Sequence, residues 1–181
     1  ELKRRRDLRQ RVLFTIDGRY SRDFDDAVAI EKTWRGYTLT VAIADVAALV
    51  KPGTALDREA YGRAFSVYFP EAVIPMLPEV LSNGVLSLNP YEDRLAMVAE
   101  IKIGPRGKVT GYECYEAVIR SHARLCYEEV GPFLEGQAAC PSKDKRIERA
   151  LLDLNQLAGL LYRRRLKAGS LDLELPELKF E

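Results

Sequence analysis

Apolar and polar residues alternate along several short stretches of the chain, a pattern typical of β-strands with one exposed face. Residues 37–43 show this alternation most clearly, and other short apolar runs between turn residues indicate further strands. The sequence GPRG at residues 104–107 predicts the turn of a hairpin. The predicted strands are residues 12–16, 27–30, 37–43, 95–103 and 108–119.

Helical spacing of apolar residues appears later in the chain. Thr54 is a typical N-cap for a helix that ends near Phe65. A short helix is predicted at residues 128–134. A long one is predicted at residues 142–168, where Gly169 provides a stop. The apolar stripe of the long helix consists of Ile147, Leu151, Leu154, Leu157 and Leu161.

Hairpins mixed with helices, without repeated βαβ units, predict an α+β fold in which a mixed, largely antiparallel sheet packs against helices. Prolines interrupt residues 67–90, which therefore cannot form one long helix. Because this segment is also rich in apolar residues, we expect it to lie against the body of the protein. The chain divides into a basic lead-in at 1–11, a core at 12–135, a long helix at 142–168 and a tail at 169–181 that alternates like another strand.

Composition narrows the classes of protein to which the chain could belong. It has 181 residues, of which 47% are hydrophobic and 30% charged, the profile of a globular protein with a core. It contains no apolar run of the roughly 18 residues that a membrane span needs. The N-terminus is charged, and no apolar signal region follows it. We therefore expect a cytoplasmic protein without membrane contact. We also expect a monomer, although these features do not determine the oligomeric state.

Residues suited to zinc or nucleophilic chemistry are few. Three cysteines without a CxxC pair argue against zinc sites and disulfides and predict free, mostly buried thiols. The lone histidine, His122, excludes paired-histidine metal motifs. The net charge of +1 is not that of a typical nucleic-acid-binding protein. Two basic runs, at residues 3–6 and 163–167, are each consistent with a solvent-exposed helix face.

The stretch TIDGRYSRDFDD contains four aspartates within twelve residues. Asp17 ends an apolar run, and Asp23, Asp25 and Asp26 follow closely. Carboxylates held close together raise one another's pKa unless a positive charge lies between them. A hard divalent cation such as Mg²⁺ meets that need and prefers oxygen ligands. A bend at Phe24 would let three carboxylates converge with Asp17, which predicts a metal site.

Closely spaced aspartates also occur in calcium-binding loops and in phosphatase-type sites, and both fit this stretch less well. A calcium-binding EF-hand is excluded, because the sixth residue counted from Asp23 is Val28 rather than glycine. A phosphatase-type aspartyl nucleophile would follow a buried strand directly, whereas DFDD follows residues 19–22. A polar loop whose aspartates cap turns remains an alternative.

Four longer blocks extend the pattern beyond the aspartates: TIDGRYSRDFDDAVAI, VAIADVAALVKPGTALDREA, SVYFPEAVIPMLPEVLSNGVLSLNP and EAVIRSHARLCYEEV. In this order they resemble the catalytic RNB domain of the ribonuclease II and ribonuclease R exoribonucleases, and SNGVLSLNP and SHARL are nearer to ribonuclease R. The resemblance implies metal-dependent, processive hydrolysis of single-stranded RNA from its 3′ end to 5′-mononucleotides. It further implies that Asp17, Asp23 and Asp26 bind Mg²⁺. Asp25 would be the critical catalytic residue, positioning a second metal ion or the attacking water.

The same resemblance assigns two tyrosines to RNA binding. Tyr68, in SVYFP, would stack on the 3′-terminal base region, and Tyr127, in RLCYEEV, would lie near the scissile phosphate. Stacking on an aromatic ring accepts any base, which suits an enzyme that removes every nucleotide in turn.

The chain is shorter than members of that family, so we expect a partial catalytic domain with weak RNA binding and little or no activity alone. Two hypotheses from other classes remain. One is a non-catalytic RNA-binding or scaffold module with the same fold. The other is a metal-dependent phosphoesterase that acts on small nucleotides.

Overall fold

The computed structural model describes residues 4–69 and 72–171. The strands in these residues are β1 (Arg6–Asp7), β2 (Leu13–Asp17), β3 (Asp26–Thr33), β4 (Gly36–Ala44), β5 (Val67–Tyr68), β6 (Val73–Ile74), β7 (Asp93–Ile103) and β8 (Val109–Cys126). The helices are α1 (Val46–Leu49), α2 (Ala55–Arg63), α3 (Tyr127–Leu134) and α4 (Lys145–Lys167), and a π-helical segment spans Val80–Val85. In this part of the chain, no helix has the length and apolar character needed to cross a membrane.

Five strands close into a small barrel. β2 pairs with β3, β3 with β4, β4 with β7 and β7 with β8, all antiparallel, and the second half of β8 returns to β2 in parallel. β1 also pairs with β8, while β5 and β6 form a separate two-stranded sheet. The β3–β4 turn depends on Gly36. Its φ of 124° favours glycine, and a Cβ there would lie 2.0 Å from the carbonyl oxygen of Ile103.

The barrel interior is filled mainly by small side chains. Alternate positions of a strand face the same side of a sheet, so each strand contributes every second residue. A five-stranded barrel is narrow, and alanine fits its interior well. The interior is therefore a packed core rather than a ligand cavity. Its buried residues are Leu13, Phe24, Ala27, Ala29, Ala42, Ala44, Leu88, Ala96, Val98, Ala117 and Ile119.

A second core lies between the outside of the barrel and the last two helices. Phe14 and Leu125 pack there against Val130 of α3 and against Ile147 and Leu151 of α4. Since β2 is covered on both faces, its apolar residues follow one another instead of alternating with polar ones.

The predicted α+β fold with a largely antiparallel sheet is confirmed, while several predicted bounds were too narrow. β8 runs on to Cys126 because its second half pairs with β2, a long-range contact that a local pattern does not show. Thr54 caps α2 as predicted and accepts a hydrogen bond from the amide of Asp57 (3.2 Å). α4 begins at Lys145, later than expected. The three cysteines are free, but only Cys126 is buried, whereas Cys140 is half-buried and Cys114 is exposed.

The proline-rich segment at residues 67–90 packs only in part, so that prediction was partly wrong. Leu77, Leu86 and Leu88 are buried as expected. Tyr68, Val73 and Ile74 remain exposed because β5 and β6 pair with each other rather than with the barrel. The exposed apolar residues of the segment at 67–90 are Tyr68, Phe69, Val73, Ile74, Val80 and Val85.

The predicted tail strand at 169–181 lies almost entirely outside the described residues.

A buried ion pair joins the basic lead-in to the barrel, so this run is not simply an exposed helix face. Arg5 is buried, and its Nη2 lies 2.7 Å from Oδ2 of the buried Asp45. Asp45 also accepts a hydrogen bond from the amide of Ala48 at the start of α1 (3.1 Å). The pair therefore connects the N-terminal segment to the junction of β4 and α1.

Replacing Arg5 with methionine should lower the free energy of unfolding by about 3–5 kcal/mol, because the buried Asp45 carboxylate loses its guanidinium partner. The matched control is Arg6→Met. Arg6 makes an exposed ion pair with Glu113, and exposed pairs contribute little. Urea unfolding of the parent and both variants measures the difference. Equal losses in the two variants would contradict the importance of the buried pair.

Candidate active site

Phe24 fixes the middle of the aspartate-rich stretch. Its side chain is buried with the barrel core. Its amide donates a hydrogen bond to Oγ of Ser87 (2.9 Å), and its carbonyl oxygen accepts one from the amide of Leu88 (2.9 Å). Asp23 and Asp25 are its immediate neighbours in the chain. The backbone of both aspartates is therefore held at the end of the barrel, between β2 and β3.

The aspartates lie where β2 ends and β3 begins, a region that we call the barrel mouth (Asp17 to Asp26). Asp17 is the last residue of β2, and Asp26 is the first of β3. The two strands are antiparallel, with Phe14 opposite Val28. β4 fixes the start of β3, where Asp26 is paired with Ile43.

Burial and mutual repulsion act on the carboxyls of the barrel mouth. Burial raises the pKa of Asp17, and the charges of Asp26 and Asp25 raise it further, whereas the neighbouring Thr15 hydroxyl and the positive charge of Arg124 lower it. Burial is also the main cause that raises the pKa of Asp25, followed by the charges of Asp23 and Asp26. The carboxylates are therefore close enough for their charges to interact, and a cation between them would relieve the repulsion.

The chemistry of the barrel mouth suits a hard divalent cation, which prefers carboxylate oxygens. Oδ2 of Asp17 is buried and has no hydrogen-bond partner among the described residues, so it is available as a ligand. However, within residues 4–69 and 72–171, no three Asp, Glu, His or Cys side chains are grouped so that they could hold a metal ion. The convergence expected from the sequence is therefore not seen, and binding would require the carboxylates to rotate towards one another.

Two residues that the sequence did not single out hold this stretch in place. Arg124 of β8 donates through Nη2 to the carbonyl oxygens of Arg19 (2.6 Å) and Gly18 (3.3 Å). Ser87 is buried, and its hydroxyl donates to the carbonyl oxygen of Arg22 (3.3 Å). Both lie in the blocks SHARL and SNGVLSLNP, which is the sequence signal that could have drawn attention to them.

An open cleft of about 870 Å³ lies beside the barrel mouth. Asp23 and Tyr68 line it together with Arg19, Arg22 and Glu128. The side chain of Tyr68 is 67% exposed, so its ring is accessible to a planar ligand. The cleft therefore combines one predicted metal ligand, one predicted RNA-binding tyrosine and two cationic side chains.

Tyr127 lies outside this cleft, as do the other three aspartates of the barrel mouth. It is the first residue of α3 and follows Cys126, which is paired with Asp17 across the parallel β2–β8 contact. Its side chain is 62% exposed. Tyr127 therefore lies at the Asp17 end of the barrel mouth, whereas the other predicted RNA-binding tyrosine lies on the cleft side.

The closed barrel with an acidic stretch at its mouth is that of an RNB domain, and the chain belongs to this family, which it matches over residues 5–181. It is 50% identical over 175 residues to the ribonuclease R of Escherichia coli, a match that covers 96% of this chain and 22% of that protein. It also resembles the structure of Mycoplasma genitalium RNase R in complex with ribose-methylated single-stranded RNA. That TM-score is 0.91 at 35% identity, covering 96% of this chain and 27% of the other.

Yeast Ssd1, a pseudonuclease, shares the fold alone, with a TM-score of 0.76 at 19% identity over 92% of this chain and 20% of its own. The chain thus spans about a fifth to a quarter of the length of these relatives. The resemblance seen in the sequence is confirmed. The individual roles of the four aspartates and two tyrosines stay predictions.

Replacing Asp25 with asparagine should stabilise the metal-free protein at pH 7, because the pKa of this carboxyl is raised and its ionised form is disfavoured in the folded state. The gain should appear as the pH rises above the ordinary value of 3.8 and vanish below it, where the carboxyl is protonated in both states. We expect a rise in Tm of up to about 2 °C, since Asp25 is only partly buried and solvent screens its carboxylate.

Thermal unfolding in buffer with a chelator, at several pH values, measures this effect. The matched control is Glu31→Gln, which removes an exposed carboxylate from β3 away from the barrel mouth. A lower Tm for Asp25→Asn at pH 7, relative to both parent and control, would show that burial and repulsion do not dominate the effect of this charge on stability.

Proposed function

We propose that this chain is the part of a 3′→5′ exoribonuclease that contains the catalytic aspartates, and that the enzyme hydrolyses single-stranded RNA to 5′-mononucleotides with Mg²⁺. The main support is that four aspartates with interacting charges lie beside a cleft with an accessible tyrosine, in an RNB domain. Relatives with the name ribonuclease R, one of them seen with single-stranded RNA, favour RNA as the substrate.

In this proposal Asp17, Asp23 and Asp26 hold the metal, and Asp25 positions a second metal ion or the attacking water. The free Oδ2 of Asp17 and the mutual repulsion of the carboxylates support a cation at this place. A bound Mg²⁺ supplies Lewis-acid polarisation of a phosphoryl oxygen and stabilises developing negative charge. The contribution of the chain itself is to keep the carboxylates together at the barrel mouth through the buried Phe24.

The RNA would occupy the open cleft. Tyr68 offers a ring on which a base can stack, and Arg19 and Arg22 place positive charge on the same walls, where phosphates would lie. Tyr127 would contact the RNA from the Asp17 side, near the scissile phosphate. None of these contacts depends on the identity of a base, which suits the removal of each nucleotide in turn.

A non-catalytic RNA-binding or scaffold module is the second candidate. Two observations favour it: a pseudonuclease has the same fold, and the described residues contain no three-ligand metal group. Against it stands the retention of four mutually repelling carboxylates, which a scaffold does not need. Because the chain spans about a fifth to a quarter of its relatives, we propose that further segments complete the site and that this piece alone has little activity.

The Asp25→Asn variant separates the two candidates when it is made in a chain of the relatives' length that carries this segment. We expect hydrolysis of a labelled single-stranded RNA with Mg²⁺ to fall at least about 100-fold, the loss expected when a reacting group is no longer held in position. RNA binding should change less than about twofold, since the carboxylate acts on the reaction rather than on the bases.

Glu31→Gln is again the control and should hydrolyse RNA like the parent. Full activity of Asp25→Asn would contradict its catalytic role. A parent that binds RNA but hydrolyses none at any Mg²⁺ concentration would favour the scaffold.

Tyr68→Ala should weaken binding of single-stranded RNA by about 1–3 kcal/mol, roughly 5- to 150-fold in Kd, because a stacked base loses its aromatic partner. Tyr68→Phe keeps the ring and should bind nearly like the parent. Tyr112→Ala is the matched control, because Tyr112 is an exposed tyrosine in the first half of β8, far along the strand from Cys126. Fluorescence anisotropy with catalytically inactive protein measures Kd, and equal losses for Tyr68→Ala and Tyr112→Ala would refute stacking on Tyr68.

A further inference from the structure

Arg124 reaches from β8 to the loop that separates Asp17 from Asp23. Its Nη2 lies 2.6 Å from the carbonyl oxygen of Arg19 and 3.3 Å from that of Gly18. A guanidinium nitrogen that donates to two successive carbonyls restricts both peptide groups at once. The chain path just after Asp17 is therefore determined by a side chain from a different strand.

The same guanidinium also lies over the ring of Phe24, with 5.2 Å between its central carbon and the ring centroid. Phe24 is the buried anchor between Asp23 and Asp25. Arg124 thus contacts both the loop after Asp17 and the residue that sets the position of the next two aspartates.

An arginine near carboxylates commonly forms an ion pair with one of them, often through two parallel hydrogen bonds. In the part of the chain that the structure describes, the hydrogen bonds of Arg124 go to backbone carbonyl oxygens and to none of these carboxylates. The carboxylate oxygens that a cation would need are therefore not occupied by Arg124.

We propose that Arg124 is a positioning residue that sets the separation of Asp17 and Asp23, and with it the affinity of the barrel mouth for its divalent cation. The proposal rests on the function proposed above. Arg124 acts through the loop and through Phe24, while its positive charge also acts on the Asp17 carboxyl.

Arg124→Met and Arg124→Lys test this role in a chain of the relatives' length. Methionine removes the donors, while lysine keeps the charge but not the planar fork. Arg120→Met is the matched control, because Arg120 is an exposed arginine of the same strand whose Nη2 pairs with Asp93 at 2.6 Å. The measurements are kcat and KM for single-stranded RNA as a function of Mg²⁺, and binding of Mn²⁺ followed by electron paramagnetic resonance.

We expect Arg124→Met to raise the half-saturating Mg²⁺ concentration and the Mn²⁺ Kd by about 10–100-fold, the usual effect of removing a group that orients metal ligands. KM for RNA should stay within about twofold, and excess Mg²⁺ should restore part of kcat. Arg124→Lys should fall between the parent and Arg124→Met, and Arg120→Met should match the parent.

A purely structural role would reduce the folded fraction, and hence kcat at every Mg²⁺ concentration, without moving the half-saturating value or the Mn²⁺ Kd. That result would overturn the inference. If Arg124→Met does not fold, the half-saturating Mg²⁺ concentration and the Mn²⁺ Kd of Arg124→Lys are compared with those of the parent instead. A parent that binds Mn²⁺ but hydrolyses no RNA would refute the proposed function, while the Mn²⁺ titration still tests Arg124. A parent that binds no Mn²⁺ would overturn both.

Discussion

The burial of Phe24 in the end of the barrel is the constraint on which the rest of the site depends. Its ring joins the barrel core, and its two backbone hydrogen bonds fix the peptide groups on either side. Burial of a phenylalanine contributes roughly 1.5–3 kcal/mol, and each hydrogen bond about 0.5–1.5 kcal/mol. Repulsion between partly exposed carboxylates is on the order of 1 kcal/mol or less. The apolar anchor therefore outweighs the repulsion between the acidic side chains beside it.

This balance explains how an acidic cluster can persist in a fold that gains nothing from it. The carboxyls of Asp17 and Asp25 have raised pKa values, so their ionised forms are disfavoured in the folded state. Residues that lower the stability of the folded state are common at functional sites, because selection retains them for what they bind or do. Ser87 and Arg124 hold the backbone of this stretch in place through hydrogen bonds to its carbonyl oxygens. In the described part of the chain, they do not pair with the carboxylates.

Much of this architecture could be predicted because it has local signals. Alternation identified the strand at residues 37–43, and the Thr54 cap identified the start of α2. The closure of the barrel could not be predicted in this way, since it depends on Leu13 meeting Ser121 far along the chain. The aspartates were found from their density in the sequence. The supporting contacts of Arg124 escaped notice because they go to carbonyl oxygens, which every residue possesses.

β8 runs as one strand from the hairpin turn to the barrel mouth, with one register irregularity where Leu13 and Thr15 of β2 face Ser121 and Arg124. Successive side chains of a strand face opposite sides, so the loss or gain of one residue within β8 would reverse every position beyond it. Ala117 and Ile119 would leave the core, and Arg124 would point away from its loop. Insertions and deletions should therefore be tolerated in the turn at residues 104–108 but not along the strand that follows. The length of the molecule can therefore change in its turns during evolution, whereas the spacing along β8 between the core residues and Arg124 is inherited as a single unit.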